Sequence, residues 1–330
     1  MKVDSDYDDL DRRLVHALQI DPRSPFSTIA EVLDVSDRTI ARRYTRLRST
    51  GAVRVIGSIN PTALGATQWF LRIRCAPAAA SQVAEALARR PDTAWVSLTS
   101  GGTEIACTVR TENDADSEAL LLAKLPRTPR VEGVTAHSVL HAFYGGSDSL
   151  IAKLGALDDA AVTRLRPPPI PARPGPVTLD DGDRALLEAL AADGRTGFEQ
   201  LAATTGWSPT TVRRRMAELR ERGILYLDLD IDWRLFGRGI RTLLWLSVAP
   251  AHLAEAGAAL AGHPEIAYAA ATTGPTNLYA TVVCSGQAEL YRYLTTRVAA
   301  LPAITHVETA PVIKTVKQAA MQGVTAQIPK

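Results

Sequence analysis

Residues 36–51 read SDRTIARRYTRLRSTG, and residues 208–223 read SPTTVRRRMAELRERG. Each stretch opens on a serine, whose hydroxyl can accept from the free N–H groups of a helix start. Each stops at a glycine, the residue that most readily takes the left-handed backbone ending a helix. Apolar residues recur at helical spacing: Ile40, Tyr44 and Leu47 in the first stretch, Val212, Met216 and Leu219 in the second. Both stretches are rich in arginine and read as the recognition helix of a helix-turn-helix, the element that enters the DNA major groove.

Upstream of the first stretch, Leu10, Leu14, Ala17 and Leu18 mark a helix from about Tyr7 to Ile20. Phe26 to Leu33 predicts a short second helix, Asp34-Val35 a tight turn, and the run from Val53 a strand. With Ile40 set inward, a rotation of 100° per residue sends Arg38, Thr39, Arg42 and Arg46 to the opposite face. Stacked arginines there suit phosphates and guanine edges; a solvated charged face is the plainer reading. The equivalent positions of the second stretch are Thr210, Thr211, Arg214 and Glu218. Glutamate repels phosphate but can accept a hydrogen bond from cytosine. The two helices are therefore expected to read different half-sites, or the second to bind more weakly. Arg213 and Arg215 flank the second face and are assigned to backbone phosphates. The expected DNA contacts are Ser36, Arg38, Thr39, Arg42, Arg43 and Arg46, with Ser208, Thr210, Thr211, Arg213, Arg214, Arg215 and Glu218.

The chain repeats itself. An offset of 172 residues lays Leu14 on Leu186, Asp21 on Asp193, Arg23 on Arg195, Phe26 on Phe198 and Gly51 on Gly223. One inserted residue near Gly65 changes the offset to 173, which lays Pro77 on Pro250, Gly101 on Gly274 and Val131 on Ile304. Between the copies, RPPPIPARPGP at 166–176 holds six prolines, which favour an extended spacer. A docking site for a proline-recognising partner is the lesser reading of the same stretch.

After each helical part, strands and helices alternate. The first copy reads as strand 68–75, helix 79–89, strand 93–99, turn 100–102, strand 104–109, helix 114–125 and strand 131–142. The second reads as strand 242–249, helix 253–261, strand 266–272, strand 277–284, helix 288–300 and strand 304–315. The order is βαββαβ, a ferredoxin-like sandwich. Such a sheet leaves one face bare, so the two sandwiches are expected to pair, within one chain first. The predicted class is α+β, a tandem repeat of helix-turn-helix plus ferredoxin-like sandwich. The divisions are 1–60, 65–145, a proline-rich linker 146–177, then 178–236 and 240–317.

Composition narrows the function. The net charge of +2 leaves nucleic-acid affinity to local basic clusters. Cys75, Cys107 and Cys284 lack metal or disulfide spacing and suit a reduced, cytosolic interior. The opening MKVDSDYDDLDRR is no signal peptide, and no apolar run reaches membrane-spanning length. GxSxG, P-loop, GxGxxG and HExxH patterns are absent. His16 reads as a surface or capping histidine. Neither enzyme activity nor a cofactor or metal is expected.

These motifs together resemble the Lrp/AsnC ("feast/famine") family of transcription factors, as two subunits fused in tandem. The resemblance rests on Asp11 with Leu14, Asp21-x-Arg23, the helix after Ser36, Asn60-Pro61 before Gly65, and their partners Asp183, Leu186, Asp193-Gly194-Arg195, Leu201-Ala202 and Ser208-Pro209. It implies double-stranded DNA as partner, a homo-oligomer formed through the sandwiches, and a small, amino-acid-like effector near the turn between the second and third strands. The family favours Gly-x-x-Asp there. This chain departs, with Gly101-Gly102-Thr103-Glu104 and Gly274-Pro275-Thr276-Asn277. Glu104 could pair with an ammonium group, and neutral Asn277 could not. The implied effector residues are Thr99, Ser100, Gly101, Gly102, Thr103 and Glu104, with Thr272, Thr273, Gly274, Thr276 and Asn277; a simple glycine turn is the alternative. Siroheme decarboxylases are similar in scaffold, and Thr276-Asn277-Leu278-Tyr279 faintly resembles their strand motif, so an enzyme of that kind is the runner-up. A DNA-compacting protein without an effector is the third reading.

Overall fold

The computed structural model describes residues 7–111, 115, 118–125, 127–146, 149–173, 175 and 178–319. The expected helix 114–125 falls partly outside these residues; its described part is a π-helical stretch, Ala119–Lys124. The chain divides into two compact units, each drawn from both copies: Met1–Leu64 with Gly146–Gly237, and Gly65–Gly145 with Arg238–Lys330. Helical part thus joins helical part, and sandwich joins sandwich.

The first unit holds α1 (Asp9–Ile20), α2 (Phe26–Leu33), α3 (Asp37–Ser49) and β1 (Val53–Ile59). Its second half holds α7 (Asp181–Ala192), α8 (Phe198–Thr205), α9 (Pro209–Glu221) and β6 (Leu225–Ile231). Both first helices start in a reciprocal cap: Asp8 accepts from the Asp11 N–H while Asp11 accepts from the Asp8 N–H, and Asp180 and Asp183 do the same. Ser36 and Ser208 cap the third helices through the N–H groups of Thr39 and Thr211. Strands β1 and β6 pair antiparallel from Val53 opposite Ile231 to Ile59 opposite Leu225.

Each helical core is completed by the other copy. Leu229, Ile231 and Leu235 enter the core of α1–α3, and Ile59, Ala63 and Leu64 pack on the core of α7–α9. Arg23 donates to the carbonyls of Gly194 and Thr196, and Arg195 to those of Pro22 and Ser24. Arg23 also lies over the Phe198 ring and Arg195 over Phe26. These arginines, which look like motif residues in the sequence, are a two-way lock between the heads.

The stretch between the copies is more than a spacer. It forms α5 (Leu150–Leu154) and α6 (Asp159–Leu165), and Ile151 and Leu165 are buried in the α1–α3 core. From Arg166 to Arg173 the chain forms neither helix nor strand, as its prolines dictate. His16 corrects its expected surface position. It is 4% exposed, and its Nδ1 accepts the N–H groups of Ala156 and Leu157, closing the bend between α5 and α6. Burial lowers its pKa from the ordinary 6.5, so the neutral ring belongs to the folded state. The sign follows: the stability from neutral His16 is present above pH 6.5 and is lost as pH falls toward the lowered folded value. Protection factors at Ala156 and Leu157, corrected for the slower intrinsic exchange in acid, are expected to fall as pH drops below 6.5; unchanged protection would defeat this role.

The second unit holds β2 (Thr67–Cys75), α4 (Ala80–Ala88), β3 (Thr93–Thr99), β4 (Glu104–Thr111) and β5 (Val131–Tyr144). The other copy supplies β7 (Ile240–Val248), α10 (Leu253–Ala261), β8 (Ile266–Thr272), β9 (Leu278–Cys284), α11 (Gln287–Tyr293) and β10 (Ile304–Thr315). The strands close into a barrel in the order β10-β3-β4-β2-β5-β8-β9-β7. β5 pairs with β8 and β10 with β3, so the two sheets are joined at both edges and no edge is left bare. Period-two alternation sorts the side chains. Leu71 and Ile73 face the helices, and Phe70 faces the barrel interior with Leu243, Trp245 and Tyr279.

Candidate DNA-reading helices and effector loops

The heads are built around two buried aspartates. Asp11 is 1% exposed and receives Arg43 at 2.9 Å and Arg46 at 2.5 Å from α3. Asp183 is 0% exposed and receives Nε and Nη2 of Arg215, both at 2.5 Å, from α9. One carboxylate thus completes the capping box of the first helix and ties the third helix to it. Burial pushes the Asp183 carboxyl up, but the bonds from Arg215 and the Asp180 backbone outweigh it and hold its pKa below 3.8.

Several residues of the expected contact set have partners within the chain. The helical wheel sends Arg46 outward, yet its long side chain turns back to Asp11. Arg43 pairs with Asp8 and Asp11, and Arg215 with Asp183 and Glu218. Glu218 also faces Arg222 at 3.5 Å, so its carboxylate sits between two arginines. Arg213 lies over the Phe198 ring at 4.5 Å. Arg38, Arg42 and Arg214 are exposed, and among the described residues none of the three has an ion-pair partner. Thr39 and Thr211 are half-buried, their hydroxyls bonded to the capping serines; Thr210 is exposed.

The two loops of the barrel unit differ from each other. Thr99 and Ser100 donate to the Glu104 carboxylate, which also takes Arg72 Nε at 2.6 Å. Arg72 reaches on to Glu308 of the other copy, with Nη1 at 2.8 Å and a second, shorter contact through Nη2. Glu104, which could pair with an ammonium group, is thus already held by a guanidinium. Gly101 and Gly102 take left-handed backbone with open space about them, while Thr103 donates to the Ser100 carbonyl.

The second loop is closed by its own groups. Asn277 donates to the Val248 carbonyl and accepts its N–H, so the amide works as a clamp. Thr272 donates to the Thr276 carbonyl, and Thr273 accepts from the Ser138 N–H. His137 Nδ1 meets the Thr273 carbonyl at 2.8 Å. Gly274 has φ of 101°, and a Cβ there would sit 2.7 Å from the His137 ring, so glycine is required.

The profile of the AsnC-type helix-turn-helix domain matches residues 8–48 and 179–220, and that of the Lrp/AsnC ligand binding domain matches 68–156 and 242–321. The chain belongs to the Lrp/AsnC family of transcriptional regulators. Among its relatives, HTH-type transcriptional regulator FL11 of Pyrococcus horikoshii (strain ATCC 700860 / DSM 12428 / JCM 9974 / NBRC 100139 / OT-3) is 26% identical over 143 residues, covering 43% of this chain and 94% of that protein. Regulatory protein AsnC of Escherichia coli (strain K12) is 27% identical over 146 residues, covering 42% and 96%. A relative of one-subunit length therefore spans less than half of this Lrp/AsnC chain, as a tandem fusion requires. The siroheme decarboxylase NirDL aligns over 96% of this chain and 95% of its own, with a TM-score of 0.63 and 13% identity, a likeness of fold. Among the described residues no helix is long and apolar enough to cross a membrane, and no acidic, histidine or cysteine cluster could hold a metal ion.

Arg72 is the residue the Lrp/AsnC resemblance does not single out. Its signal is present in the strand QWFLRIRC, where period two sets Arg72 opposite Leu71 and Ile73 and thus inside the barrel.

Proposed function

We propose that this Lrp/AsnC regulator binds double-stranded DNA through α3 and α9, with Arg38, Arg42 and Arg214 as its principal contacts. The observation that carries this reading is the division of labour among the arginines. Arg43, Arg46 and Arg215 hold the helices against Asp11 and Asp183, while Arg38, Arg42 and Arg214 stay exposed and unpaired among the described residues. Fixed helices carrying free guanidinium groups are what major-groove reading needs.

We place effector control, the finer part of the proposal, at residues 99–104, where Gly101 and Gly102 offer open backbone. In residues 272–277 the Asn277 amide is bonded to Val248, and Thr273 to His137 and Ser138, which makes this loop the less suited of the two. Because Arg72 holds Glu104, an α-amino group would have to displace a guanidinium. The test is sequencing of genomic fragments retained by the purified protein at moderate salt, with and without added amino acids. A sharp motif supports the regulator, and a featureless pool supports a DNA-compacting protein. No retained DNA, with absorbance near 400 nm in the purified protein, would point to tetrapyrrole chemistry.

A further inference from the structure

We infer that each chain recognises a polar DNA site of two unlike half-sites, with the stronger half under α3. The inference rests on the DNA-reading function proposed above and adds the class of operator.

The first observation is the unequal charge of the two faces. At equivalent positions α3 carries Arg38, Arg42 and Arg46, and α9 carries Thr210, Arg214 and Glu218. Arg46, though paired to Asp11, keeps 45% of its side chain exposed. Glu218 places a carboxylate at the matching site and draws Arg215 and Arg222 toward itself. The first face thus presents two unpaired arginines among the described residues, and the second presents one beside an acid. A well-formed arginine–guanine pair discriminates by about ten- to a hundred-fold, so the first head carries more sequence information.

The second observation is independent and concerns which halves can pair. Inside the barrel, contacts between the copies join unlike residues. Arg72 of the first copy holds Glu308 of the second, but the offset of 173 puts Trp245 at the position of Arg72 and Thr135 at that of Glu308. Phe70 stacks on Tyr279 at 4.3 Å, and their counterparts are the smaller Leu243 and Ala106. Two first copies closing a barrel together would set Arg72 against Thr135 and Phe70 against Ala106, losing the ion pair and leaving a void. Two second copies would set Trp245 against Glu308, without the arginine. The barrel therefore favours one first copy with one second copy. The helical unit likewise holds one of each head, through swapped strands and the Arg23 and Arg195 locks. Unlike heads then stay together, and DNA meets one of each.

Selection from random duplex DNA with the full chain tests this, run beside Thr210→Arg and Arg38→Thr, both at exposed positions. The wild type is expected to enrich a non-palindromic site with one well-defined half. Thr210→Arg is expected to sharpen the weak half and leave the strong one unchanged, and Arg38→Thr to blur the strong half. Two chains acting together would yield an inverted pair of such sites, each still polar. A palindrome within one pair of half-sites, or equal response of both halves to Thr210→Arg, overturns the inference. Retained DNA without any motif overturns it also, leaving DNA binding itself in place, and failure to retain DNA overturns the underlying function as well.

Discussion

Arg42→Ala is expected to weaken operator binding by about ten- to a hundred-fold, the usual cost of a lost base-reading arginine. Arg42 sits mid-helix on α3, is exposed, and has no ion-pair partner among the described residues, so no folded-state bond is lost with it. Unfolding should therefore be unchanged, which separates a reading role from a structural one. Arg214→Ala is expected to cost less, because Glu218 already depresses the phosphate affinity of α9. Gel-shift titrations of the two variants at one salt concentration decide the matter: equal losses would defeat the dominance of the first head.

Asp183→Ala carries the largest expected effect on stability. The carboxylate is fully buried, accepts the Asp180 N–H at the start of α7 and holds Arg215 through two bonds. Removing one partner of a buried pair costs about 3–5 kcal/mol, and the lost bond to the Asp180 N–H adds to it. Glu218 still faces Arg215, which places the expectation toward the lower end. The pH dependence has a definite sign. The folded pKa of Asp183 lies below 3.8, so its contribution is present above that pH and disappears as pH falls through the folded value. Chemical denaturation at neutral pH should show the full gap between wild type and variant, and the gap should close in acid. A constant gap across pH would mean that packing, not the ion pair, accounts for the loss. DNA affinity should fall too, because Arg215 no longer sets the rotation of α9.

The outline of this protein is legible in its residues taken in order. Helix caps, apolar spacing and the 172-residue offset locate α1–α3 and α7–α9 within a residue or two, since each depends on neighbours along the chain. The βαββαβ order and the tandem Lrp/AsnC membership are readable for the same reason. Side-chain partners across the fold are not. The wheel places Arg46 by its Cα direction, but a long flexible side chain ends where the nearest buried carboxylate is, and Asp11 lies 35 residues away.

Glu104 looks free in a linear turn because Arg72 comes from another strand, and Glu308 from the other copy. His16 looks like a surface residue because the N–H groups that cover it lie 140 and 141 residues further on. Local hydrogen bonding and periodicity are properties of adjacent residues, so the sequence by itself determined the elements, their order and the family. Only the tertiary structure decided which arginines hold the helices and which face outward. That choice depends on burial, because a buried carboxylate must find a cation wherever the fold brings one within reach.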